Sequence, residues 1–141
     1  QLYGQFYAVQ SQYTNAVPWF EKALATEKMP RIGAQEVRFQ LAQTYFMIGK
    51  YENVIPLLDE FIRVGERYKY PVSARVNLLM SYSHGRLEQY EPSYFHIKQA
   101  NNKSDKPQTD WIEYAFSLAM KLENLDDAED LGTRLLFLET N

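Results

Sequence analysis

Side-chain catalysis needs titratable or nucleophilic groups brought together, and this chain offers few. It has no cysteine, so thiol chemistry, disulfides and Cys-based metal sites are absent. Its two histidines, His84 and His96, fall on different expected elements and lack the i, i+4 spacing that turns two imidazoles toward one metal ion. His84 stands at an expected helix end, where positive charge is modestly favoured. Ser81, Ser83 and Ser93 lie near the histidines in sequence, but none has a nucleophile-elbow context. No Gly-rich phosphate loop is present. Asp126, Asp127, Glu129 and Asp130 cluster at an expected helix start, where carboxylates complement the helix dipole. No carboxylate lies within an apolar run that would raise its pKa. The expectation is a non-enzymatic protein with no catalytic residue, no cofactor and no metal.

Composition narrows the remaining classes. With 45 % hydrophobic and 23 % charged residues, the 141-residue chain has a folded composition and suffices for one domain. A net charge of −3 supplies no basic field for a nucleic-acid backbone. No apolar run approaches the ~20 residues of a membrane span, so no direct membrane insertion is expected. The chain opens at Gln1-Leu2-Tyr3-Gly4 in a mid-helix pattern. It therefore reads as a piece of a longer protein, and the absence of a targeting segment carries no weight.

What could position a binding surface is a set of repeated helices. Tyr13-Thr14-Asn15-Ala16, Tyr51-Glu52-Asn53-Val54, Tyr90-Glu91-Pro92-Ser93 and Leu125-Asp126-Asp127-Ala128 open similar segments at intervals of 38, 39 and 35 residues. Each continues with apolar or small residues three or four apart, as in Val54, Leu57, Leu58 and Phe61. A second helix precedes each: Tyr3, Phe6 and Tyr7; Val37, Leu41 and Tyr45; Val76, Leu79 and Tyr82; Trp111, Ala115 and Leu118. Gly49-Lys50 and His84-Gly85-Arg86 are expected to break two of the pairs. Met29-Pro30, Gly65 to Pro71 and Asn101 to Pro107 are expected to link successive pairs, with Thr109 or Asp110 capping the helix that follows. Pro18 and Pro56, each five residues after its repeat Tyr, are expected near the end of a first helical turn.

These residues resemble the tetratricopeptide signature. The first unit has Gly4-x-x-Tyr7, Tyr13-x-x-Ala16-x-x-x-Phe20-x-x-Ala23 and Pro30; the second has Leu41-Ala42-x-x-Tyr45, Gly49, Tyr51 and Leu58. The third and fourth depart from it: Leu79 and Phe116 occupy the glycine slot, Ser93 replaces Ala, and Gly132 sits where a large residue is usual. The resemblance implies an all-α, right-handed superhelix of antiparallel helix pairs. About four hairpins are expected, in units of roughly 1–30, 31–68, 69–106 and 107–141.

That fold implies a concave groove lined by the first helix of each pair, taking a partner peptide or helix. The implied positions are Gln5, Ala8 and Val9 in the first unit, and Glu36, Phe39, Gln43, Phe46 and Met47 in the second. The third supplies Ser73, Val76, Met80, Ser83 and His84, and the fourth Asp110, Glu113, Ser117, Met120 and Lys121. The slots that grip a C-terminal carboxylate in related co-chaperones here hold Phe39, Gln43, Asp110 and Tyr114; Asn77 alone suits that task. A chaperone-tail partner is therefore not expected.

The runs Leu41-Ala42-Gln43-Thr44-Tyr45, Pro56 to Ile62, and Trp111 followed by Leu125 to Ala128 also look like the tetratricopeptide proteins associated with TonB energy-transduction systems of Gram-negative bacteria. That likeness implies a periplasmic accessory of a TonB-dependent transport complex; a cytoplasmic location is the alternative. A different reading is a structural or oligomerisation segment, self-associating through its ends, where Leu135, Leu136, Phe137 and Leu138 would need covering. Exposed Phe39 and Met47 would favour the binding module, and apolar exposure mainly at the ends the structural segment.

Overall fold

The computed structural model describes the backbone of residues 2–26 and 28–140 and the side chains of residues 11–26 and 28–139. The described residues form seven helices and no strand: α1 (Leu2–Ala25), α2 (Arg31–Met47), α3 (Tyr51–Tyr68), α4 (Ala74–Arg86), α5 (Tyr90–Lys103), α6 (Thr109–Lys121) and α7 (Leu125–Thr140). They group into two compact units, Gln1–Val72 and Ser73–Asn141. In the first, α2 packs on α1 and on α3. In the second, α4 packs on α5, α5 on α6 and α6 on α7.

Three of the turns share one geometry. Gly49, Glu88 and Glu123 each adopt a left-handed backbone, with φ of 80°, 60° and 58°. Each stands two residues before a helix start, at Tyr51, Tyr90 and Leu125. The amides of Lys50, Gln89 and Asn124 donate back to the carbonyls of Tyr45, His84 and Ala119, at 2.9, 2.8 and 2.9 Å. Those of Gly49, Glu88 and Glu123 donate to Phe46, Gly85 and Met120, at 3.1, 3.0 and 3.1 Å. This pair of bonds is the Schellman motif, which satisfies carbonyls left over at a helix C-terminus. Only the first turn uses glycine, the residue that adopts this backbone without steric penalty.

The corresponding position in the first repeat is Ser11, and there the chain does not turn. α1 runs unbroken from Leu2 to Ala25, where two helices were expected. The segment around Ser11 holds no Gly or Pro to stop the helix, so its hydrogen-bond ladder continues. Pro18 consequently lies well inside α1, and Pro56 sits six residues into α3, beyond the first turn. Other boundaries move as well. Gly65 belongs to α3 rather than to a link, and α5 extends to Lys103. A Cβ on Gly65 would come within 2.8 Å of Val72 Cγ2, so its missing side chain lets the following strap fold back on the helix. Gln108 precedes α6, with no side-chain cap from Thr109 or Asp110. Asn124 precedes α7, its Oδ1 accepting the Asp127 amide at 3.3 Å.

Among the described residues, the first unit's buried apolar ones are Leu41, Ala42 and Tyr45 of α2 and Val54, Leu58 and Val64 of α3. Tyr45 also ties α2 to α1, its hydroxyl donating to the Glu21 carboxylate. In the second unit Tyr94, Ile97 and Ala100 of α5 meet Ile112, Ala115, Leu118 and Ala119 of α6, and Ala128 and Leu131 of α7 close the cluster. The alanines let the helix axes approach, while each fully buried Leu or Ile contributes roughly 1.5–3 kcal/mol.

Candidate interaction surfaces

The structure divides the expected groove residues into three kinds. On α6, Asp110, Glu113, Ser117, Met120 and Lys121 are all exposed. Their spacing of three, four, three and one places them along one helical face. Met120, 49 % exposed, is the apolar member of a row otherwise charged or polar. Lys121 Nζ lies 4.5 Å from the Tyr90 ring centroid, which ties the row's C-terminal end to α5.

On α2 the residues separate. Glu36 is exposed, Gln43 half-buried and Met47 44 % exposed. Phe39 packs on Phe61 of α3 at 6.1 Å between centroids, and Phe46 meets the edge of Tyr51 at 5.4 Å. Both phenylalanines thus serve packing inside the first unit. Ser73, just before α4, is exposed, but Val76, Met80, Ser83 and His84 on α4 are buried. Gln5, Ala8 and Val9 lie outside the residues whose side chains are described.

The buried face of α4 instead carries a polar seam against α5. Asn77 Nδ2 lies 3.2 Å from His96 Nδ1 and donates to Gln99 Oε1 at 3.1 Å. Lys103 Nζ donates to Asn77 Oδ1 at 2.6 Å, which fixes the amide's orientation. His84 stacks parallel on His96, with centroids 5.8 Å apart, and its Nδ1 lies 2.7 Å from Gln89 Oε1. Burial first, then His84 and Lys103, pushes the His96 imidazole down to a pKa of about 4. His96 is accordingly neutral at pH 7: its Nδ1 accepts from Asn77 and its proton sits on Nε2. Farther along, Ser81 Oγ donates to the Ser93 carbonyl and Ser93 Oγ to the Ser81 carbonyl, both at 2.7 Å. These hydroxyls join two helices across a close contact.

Sequence reading placed the two histidines on separate elements without bringing them together. The signal was available in the spacing. Asn77, Ser81 and His84 follow one another at four and three residues on α4, and Ser93 and His96 at three on α5. Those are polar residues on the stripe where apolar ones are usual. Asn77 itself, 1 % exposed, is a member of this seam.

A second polar tie joins α5 to α7. Tyr94 Oη donates to Asp127 Oδ2 at 2.5 Å, with Lys98 Nζ at 3.2 Å and Asn124 Nδ2 at 3.0 Å on the same oxygen. These bonds, Tyr94's first, hold the Asp127 carboxyl below the usual carboxylate range, while burial and Asp127 push the Tyr94 phenol up.

Beyond it, α7 exposes Leu136 (64 %), Phe137 (67 %) and Leu138 (44 %). Phe137 and Leu138 border an open recess of 590 Å³ whose other walls include Pro107, Ile112 and Arg134.

No family model and no curated protein matches the chain. Function therefore rests on the surfaces themselves.

Proposed function

We propose that the chain is a non-catalytic protein-interaction module, a tetratricopeptide-like solenoid segment whose antiparallel helix pairs form a right-handed superhelix. It binds a partner peptide or helix on the exposed face of α6. The observation that carries this reading is the unbroken row Asp110, Glu113, Ser117, Met120 and Lys121. A flexible, polarisable methionine ringed by polar groups suits adaptable docking of an apolar side chain. The sequence likeness to TonB-associated proteins makes a component of a TonB-dependent transport system, in the periplasm, the proposed source of that partner.

Selection from a displayed peptide library tests the reading, with binding then measured on a Met120→Ala/Lys121→Glu variant. Selected peptides should lose at least tenfold in affinity, and amide exchange should slow along α6 when they bind. Peptides that bind the variant as tightly as the native chain would remove α6 from consideration. Co-purification from a bacterial envelope extract checks the proposed source: TonB-system proteins should be retained by the native chain and lost with the variant.

One observation favours a structural segment as the second reading. Leu136, Phe137 and Leu138 stand exposed together, whereas Phe39 is packed against Phe61. If self-association uses α7, a Leu136→Glu/Phe137→Glu variant will shift the chain to monomer in light scattering while peptide binding at α6 persists.

A further inference from the structure

Two arginines of the first unit meet on one tyrosine, and a lysine follows that tyrosine in the chain. Arg31 opens α2, Arg67 stands in the last turn of α3, and Lys69 follows directly, its backbone left-handed at φ 59°. The Arg31 guanidinium lies 3.7 Å from the Tyr68 ring centroid and that of Arg67 lies 5.4 Å from it. The two guanidinium carbons are therefore within about 9 Å of each other, gathered on one cation–π platform. Tyr70 stacks on Tyr68 at 6.1 Å, which steadies the ring. All three cations and Tyr68 are exposed. Among the described residues no carboxylate pairs with Arg31, Arg67 or Lys69, although Glu66 is adjacent in the chain.

Local helix electrostatics account for only part of this arrangement. Arg67 and Lys69 at the C-terminal end of α3 complement that helix's dipole. Arg31 does the opposite. It sits at the first position of α2, at the positive end of the dipole, in a turn with no acidic residue and behind a Pro30 cap that supplies no side-chain bond. The placement opposes the dipole of α2 and concentrates positive potential where the α2 amides already point outward. An anionic partner group would relieve it, and two guanidinium forks present the paired donors that match carboxylates.

We propose that Arg31 and Arg67, arrayed on Tyr68, together with the adjacent Lys69, form a docking surface for an acidic segment of a protein partner, carrying at least two neighbouring carboxylates. Two arginines on one ring accommodate closely spaced acids. The chain's net charge of −3 offers no extended basic field of the kind a nucleic-acid backbone tracks. The surface differs from the α6 face and does not depend on it.

The probe is a fluorescent hexaglutamate peptide, titrated with the whole chain at low and physiological salt. A phosphoserine peptide and a hexalysine peptide serve as comparisons. The native chain should bind hexaglutamate, weaken as salt rises and ignore hexalysine. An Arg31→Gln/Arg67→Gln variant, with its melting temperature checked as unchanged, should bind at least tenfold more weakly. Arg31→Lys/Arg67→Lys should fall in between, because charge is kept and the fork lost. The proposal is overturned by an affinity within twofold of native in the glutamine variant, or by no binding up to about 1 mM. Binding of the phosphoserine peptide with none of hexaglutamate would equally overturn it. Failure of the α6 peptides leaves this titration unaffected, so the two readings fall separately.

Discussion

Phe116 of α6 lies directly over Gly132 of α7: a Cβ on Gly132 would stand 3.2 Å from Phe116 Cε1. The large residue on one helix and the absent side chain on the other are one packing solution, in which the ring occupies the space a side chain at 132 would need. The two departures from repeat pattern in the last helix pair thus compensate each other.

Gly132→Ala measures that compensation. In an open helix the change would stabilise by about 1 kcal/mol. Under Phe116 the new methyl must displace the ring by a few tenths of an ångström, so the gain should largely vanish. In a Phe116→Ala background the full gain should return. Urea denaturation of the four proteins gives the coupling as a double-mutant cycle, expected at roughly 0.5–1 kcal/mol. Equal gains in both backgrounds would mean the ring imposes no constraint.

The three matching turns make a second prediction. Gly49 has φ 80° with no atom within 4 Å of an added Cβ, so Gly49→Ala isolates the backbone term and should destabilise by about 1 kcal/mol. Glu88 and Glu123 hold the same backbone with a Cβ present. Glu88→Gly and Glu123→Gly should each raise stability, by up to about 1 kcal/mol. Thermal melts of the three variants check this. Destabilisation by both glutamate changes would show that their side chains contribute more than the backbone term takes away.

These turns also show what was legible in the sequence. The starts of α3, α5 and α7 follow from Tyr51, Tyr90 and Leu125, because a repeated spacing and a 3.6-residue apolar period mark them directly. The continuous α1 was not legible, since a repeat pattern suggests a turn at Ser11 while nothing local forces one. Groove positions were read by repeat slot, and a slot does not encode what covers it. That is why Asp110, Glu113, Ser117, Met120 and Lys121 are open while Val76, Met80 and His84 are buried. The clustering of Arg31 with Arg67 arises from contact between the start of one helix and the end of the next, and no single-helix period reports such contacts.

Gly85 supplies a third prediction. It lies inside α4 rather than breaking it, and α4 ends after Arg86. A Cβ there would come 2.0 Å from Tyr114 Oη. Tyr114 has little freedom to withdraw: its ring meets Tyr82 edge-on at 5.0 Å and its hydroxyl lies 3.3 Å from Ser93 Oγ. Gly85→Ala should therefore destabilise by about 1–3 kcal/mol, the range of an overpacked core. Tyr114→Phe removes the clashing oxygen, so the double variant should recover most of that loss. A double variant as unstable as the sum of its parts would place the strain elsewhere.

The seam at His96 predicts an acid-sensitive second unit. The polar groups around His96 are Asn77 and His84 from α4 and Lys103 from its own helix, and both His84 and Lys103 disfavour a proton on it. Protonation would turn Nδ1 from acceptor to donor, remove the Asn77 bond and set a second positive charge near Lys103. The folded pKa of about 4 lies below the ordinary imidazole value of 6.5. The unfolded chain therefore takes up the proton first as pH falls. Stability from neutral His96 is complete above pH 6.5 and declines as pH drops through the window to about 4, where both states are protonated. A shift of this size corresponds to about 2–3 kcal/mol between pH 7 and 4.5. His96→Gln keeps an acceptor for Asn77 and cannot titrate. Urea midpoints measured at both pH values should fall for the native chain and stay nearly level for the variant; parallel declines in the two proteins would assign the acid sensitivity to groups other than His96.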